Sequence, residues 1–72
     1  MSHSPRLSFI ATRFNGLETY RFSSPPQSFQ IRFDGWFYRW SRSDDDCEFP
    51  HFSRRAAVAA MFTNAQRTAS FA

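Results

Sequence analysis

Apolar and polar side chains alternate from residue 28 to residue 41, and the alternation is centred on Asp34-Gly35. An Asp-Gly pair favours the left-handed backbone of a two-residue hairpin turn, and the flanking runs are rich in aromatic side chains. With that pair as the loop, Phe33 faces Trp36, Ile31 faces Tyr38 and Phe29 faces Trp40, all six on one side of a sheet. Ser28, Gln30, Arg32, Phe37, Arg39 and Ser41 take the other side. A slip of one residue would exchange the two sets, so the pattern specifies the face.

Asn15-Gly16 predicts another hairpin on the same grounds. It pairs Phe14 with Leu17, Arg13 with Glu18, Thr12 with Thr19, Ala11 with Tyr20, Ile10 with Arg21 and Phe9 with Phe22. Leu7, Phe9, Ala11, Tyr20 and Phe22 share one face and are assigned to the core, with Arg13 and Glu18 as an opposite-charge pair at the tip. Ile10, Phe14 and Leu17 then stay on the outer face among Thr12, Thr19 and Arg21.

Ser23, Ser24, Pro25, Pro26 and Gln27 link the hairpins. Prolines donate no ladder bond, and so short a link makes the strands a meander. Residues 43–50 read as a loop. Ser53 then offers an N-cap, and Ala57, Val58, Met61, Phe62 and Ala65 fall at helical spacing, with the helix fraying after Arg67. The expected fold is α+β: one domain, residues 1–72, with a four-stranded antiparallel sheet of two hairpins and one C-terminal helix packed on one face.

Composition changes the picture in two ways. Ten Phe, two Trp and two Tyr in 72 residues must supply the core, because the single cysteine, Cys47, rules out a disulfide within the chain. The nine basic residues are all arginine, and four of the six acids are Asp44, Asp45, Asp46 and Glu48. A net charge of +3 therefore hides an acidic loop beside a basic remainder, a field that favours phosphates or acidic protein surfaces. No apolar run is long enough to span a membrane, and residues 1–5 lack the apolar stretch of a signal peptide. The expected location is the cytoplasm of a bacterial host, with no membrane partner.

Chemistry-bearing motifs are sparse. Cys47 and His51 are near neighbours and His3 is the other histidine, which falls short of a zinc ligand set. The two glycines, Gly16 and Gly35, are spent on turns, so no phosphate-cradling loop exists. No catalytic residue, metal or cofactor is expected. Arg54 and Arg55 oppose the dipole at the helix start, which marks them as an anion-binding pair or as partners of the nearby acidic loop. Asp44, Asp45, Asp46 and Glu48 form a candidate acidic contact. The candidate partner-binding face is Ile10, Phe14, Leu17, Arg32, Phe37 and Arg39, because a contiguous apolar patch with arginines marks an interface.

The run from Phe33-Asp34-Gly35-Trp36-Phe37-Tyr38 to Phe49-Pro50-His51-Phe52-Ser53-Arg54-Arg55, followed by an alanine-rich helix, is similar to the sheet-then-helix layout of phage integrase arm-binding domains. It is also similar to the C-terminal half of double-stranded-RNA-binding domains. In size and style the whole chain resembles small phage and mobile-element proteins, anti-CRISPR proteins among them. That resemblance implies a non-catalytic inhibitor that occludes a surface of a host protein or nucleoprotein complex. The competing expectation is a nucleic-acid binder that sets Arg32, Arg39, Arg54 and Arg55 on phosphates and stacks Phe37 on a base. A homodimer through the outer face is a further expected partner class.

Overall fold

A computed structural model describes residues 7–71, which form an antiparallel sheet followed by one helix, an α+β arrangement. Residues 1–5, read above for a leader, and His3 with them, lie outside the described residues. The strands are β1 (Phe9–Phe14), β2 (Leu17–Ser23), β3 (Pro26–Phe33), β4 (Tyr38–Arg42) and β5 (Glu48–His51), and α1 is Arg54–Phe71. They lie side by side in chain order, so β1 and β5 are the sheet edges.

The first hairpin has the expected register, from Phe14 opposite Leu17 to Phe9 opposite Phe22. Asn15 and Gly16 both take positive φ, 51° and 79°, as a two-residue turn requires. The β2–β3 connection is tighter than expected: Ser23 pairs with Pro26, and only Ser24 and Pro25 remain in the turn.

The second hairpin departs from expectation. Phe33 pairs with Tyr38, Ile31 with Trp40 and Phe29 with Arg42, a shift of two residues on the return strand. The cause is Asp34, whose Oδ1 accepts the amides of Trp36 at 2.9 Å and Phe37 at 2.7 Å while its own N–H donates to the Phe37 carbonyl. These bonds make a four-residue loop, with Gly35 at φ 99°. A shift of two keeps every side chain on its expected face, but it moves Trp36 off the ladder and into the turn.

The expected loop at 43–50 ends in a fifth strand, so the sheet has five strands rather than four. Phe49 stacks on its cross-strand partner Trp40 at 4.6 Å, and Pro50 is tolerated because β5 is an edge. The helix starts as expected, with Ser53 Oγ accepting the Ala56 amide at 3.1 Å. It continues past Arg67 to Phe71.

Tyr20, Phe22, Phe29, Ile31 and Trp40 from the sheet are buried together with Ala57, Met61 and Ala65 from α1. The alanines let the helix backbone approach the rings closely, and Met61 fills the space between them. Gln27 Nε2 donates to the Ala65 carbonyl at 3.2 Å and ties β3 to the second half of the helix. The helix lies against β3, β4 and β5, and it reaches β2 through Phe62 on Tyr20 and Phe22 and through Arg54 on Glu18. At the other side of the sheet only the Phe62 ring reaches Phe9, 5.0 Å away, and every residue of β1 is exposed.

Candidate functional site

Alternation along the strands places Ile10, Thr12, Phe14, Leu17, Thr19, Arg32 and Arg39 on the face opposite Tyr20, Phe22, Ile31 and Trp40, and Phe37, in the turn, lies against Arg39. Exposure on this face is uneven, since Ser41, between Gln30 and Glu48, is buried there. Ile10 is 67% exposed and Phe14 77%, and Leu17 is half-buried. The β1–β2 and β3–β4 turns, the end of β5 and the start of α1 all lie at one end of the sheet. That end gathers more rings than the sequence pattern anticipated. Trp36 is 83% exposed and Phe52 88%, and Phe52 packs on Phe37 with ring centroids 5.3 Å apart.

The alternation around Asp34-Gly35 predicts Trp36 on the same face as Ile31 and Trp40, and gives Phe52 no place on the sheet. A signal existed for each. An aspartate at the first position of a turn caps amides two and three residues on. Phe52 also follows Glu48 and Pro50 at a strand period of two.

The arginines of this face are not free cations. Arg32 Nε and Nη2 donate to Glu48 Oε2 and Oε1, both at 2.8 Å, in a fork across β4. Arg39 is bonded to Asp34, and its guanidinium lies 5.5 Å from the Phe37 ring centroid. Two arginines directly opposite each other on neighbouring strands would repel, and the two carboxylates make the pairing tolerable. The Glu48 carboxyl is held below its ordinary range by the Arg32 bond. That of Asp34 is held well below by the Phe37 amide, then Arg39, then the Trp36 amide.

Arg54 and Arg55 are split apart. Arg54 forks onto Glu18, Nε to Oε2 at 2.7 Å and Nη2 to Oε1 at 2.5 Å, with the Tyr20 hydroxyl 3.3 Å from Nη2. Its neutraliser is therefore a β2 carboxylate, not the acidic loop expected from proximity in sequence. Arg55 is exposed and, like Arg21 and Arg67, has no ion-pair partner among the described residues.

The acidic segment is dispersed. Asp44 lies 3.5 Å from Arg42, Asp45 Oδ1 accepts the Cys47 amide at 3.1 Å, Asp46 is exposed, and Glu48 belongs to β5. Among the described residues no three His, Cys, Asp or Glu side chains come together as a metal site requires. His51 Nε2 accepts the Trp40 indole N–H at 3.1 Å, so its basic nitrogen faces the core ring rather than Cys47. A recess of about 370 Å³ lies at the opposite end of the sheet, lined by Pro26, Gln27, Ser28, Arg42, Ser43 and Asp44.

No helix among the described residues is long and apolar enough to cross a membrane. No family model matches the chain, and no curated protein or solved structure is significantly similar to it.

Proposed function

We propose that this is a non-catalytic binding protein that lays the outer face of its sheet and the adjoining turn end on a host protein or nucleoprotein complex and blocks that surface. That is the mode of phage-encoded inhibitors of the anti-CRISPR kind. The observation that carries this reading is the gathering of Phe14, Trp36, Phe37 and Phe52 at one end of a rigid sheet, three of them largely in solvent. Large rings on a fixed backbone lose little conformational freedom on binding and dominate interface energetics. Phe52 packs on Phe37, the neighbour of Trp36 in the turn, and an exposed aromatic cluster of this kind is uncommon on a protein without a partner.

The electrostatics favour a protein surface over a phosphate backbone. Arg32, Arg39 and Arg54, three of the four arginines a nucleic acid would need, are already spent on Glu48, Asp34 and Glu18. Breaking those pairs to reach phosphate would leave three carboxylates facing the same polyanion.

The test is affinity capture from bacterial host lysate with the wild type and with a Phe14→Ser, Trp36→Ser double variant. Both positions are exposed, so stability should change by no more than about 0.5 kcal/mol each. Loss of the captured complex in a variant with an unchanged circular dichroism spectrum supports the face; undiminished capture refutes it. A mobility shift with nucleic acid at low salt that fades steeply as salt rises would move the assignment to phosphate recognition.

A further inference from the structure

A second surface stands out by its backbone rather than its side chains. The Ser23 amide donates to the Ser8 carbonyl at 3.2 Å, and Phe14 pairs with Leu17 across the two-residue turn. Hydrogen-bonding direction alternates along an antiparallel strand, so Ser8, Ile10, Thr12 and Phe14 bond to β2. Phe9, Ala11 and Arg13 therefore turn their N–H and C=O groups outward, along a six-residue edge that is exposed throughout. Natural sheets blunt such edges with prolines, bulges or very short strands. The far edge follows that rule: β5 has four residues, and Pro50 offers no N–H. β1 carries neither of these, and its one charged residue, Arg13, leans on Glu18 3.7 Å away.

We infer that β1 is the seam of a two-fold homodimer in which the β1 strands of two copies pair antiparallel and join the sheets into one. Among the two-fold registers that set outward residue against outward residue, the one centred on Ala11 uses the whole edge. It places Ala11 opposite Ala11 of the second copy and Phe9 opposite Arg13 of the second copy, and it forms about six backbone hydrogen bonds. Registers centred one residue away leave an outward group of β1 beyond the end of the other strand.

The side chains suit this register. Alanine at the axis lets the strands close without a clash. The Arg13 guanidinium, 3.7 Å from Glu18 and largely exposed, gains the Phe9 ring of the second copy on its open side. No like charges face each other. On the outer face Ile10 lies diagonal to both Ile10 and Phe14 of the second copy, within reach of large side chains, so two half-patches become one apolar stripe. Because the β5 edge is blunted, association closes at two copies instead of running on into a fibre. This seam uses the backbone edge and stands whether or not the outer face binds a host protein.

The experiment is light scattering behind size exclusion over a concentration series of the whole chain. The wild type is expected to approach twice its 8.5 kDa chain mass as concentration rises. Ala11→Lys and Ala11→Glu each put like charges across the axis and should run at the chain mass. Mixing the two should restore the doubled mass, which a variant that had merely misfolded could not do. Hydrogen exchange adds a residue-level reading: the amides of Phe9, Ala11 and Arg13 should gain protection with concentration. A wild type at the chain mass at every concentration, a dimer indifferent to Ala11→Lys, or a mixture that stays monomeric overturns the proposal.

Discussion

Glu18 sits where two packing demands meet. It is buried under the helix start, on the core face of β2, and its charge is retained because Arg54 forks onto it and the Tyr20 hydroxyl donates to it at 3.0 Å. Those contacts, Arg54 foremost, hold its pKa below the free value of 4.5. The unfolded chain thus binds this proton more readily than the folded one. The stabilisation is complete above pH 4.5 and is lost as pH falls from there through the lower folded value. Glu18→Gln should cost about 1–2 kcal/mol near neutrality, discounted for the half-exposed guanidinium, and the difference from wild type should shrink in acid. Urea melts of both proteins above and below pH 4.5 measure this. Tyr20 gives the alkaline counterpart: burial, then its bond to Glu18, raises its pKa above 10.0. Its phenolate absorbance should therefore appear later than that of a free tyrosine.

At the scale of elements, α1 depends on a cap and a plug. Ser53→Ala removes the acceptor of the Ala56 amide and should cost about 1 kcal/mol. Met61 is fully buried between the sheet and the alanines, and Met61→Ala should cost about 2–5 kcal/mol by leaving a cavity, read as a lowered denaturation midpoint. These elements were legible in sequence because helical spacing and strand alternation are local signals. The first hairpin, the cap and the Ala57, Met61, Ala65 stripe all followed from them. What escaped depended on contacts distant in sequence or on one side chain in a turn. β5 exists because Phe49 finds Trp40 and Glu48 finds Arg32, pairings that no local pattern encodes. The second register moved because Asp34 capped two amides in place of closing a two-residue loop. That same aspartate decided the candidate site, since it carried Trp36 out of the core and neutralised Arg39.

Across the whole molecule the layers are unequal. The helix shields β2 to β5, while every residue of β1 is exposed and only Phe9 meets the helix through Phe62. Buried rings are concentrated under the helix, and the exposed positions run along β1. A fragment ending at Ser53 would leave Phe29, Ile31 and Trp40 without the cover of Ala57, Met61 and Ala65. It should bind a hydrophobic dye and lack a cooperative melt, whereas a fragment that melts sharply would show that the sheet stands alone. The placement of α1 after all five strands also bears on biosynthesis. The helix follows the strands out of the ribosome, so Phe29, Ile31 and Trp40 stay without their cover until α1 has emerged. Closure of the core is therefore a late event in the folding of this chain, and the bare aromatic face is its aggregation-prone stage.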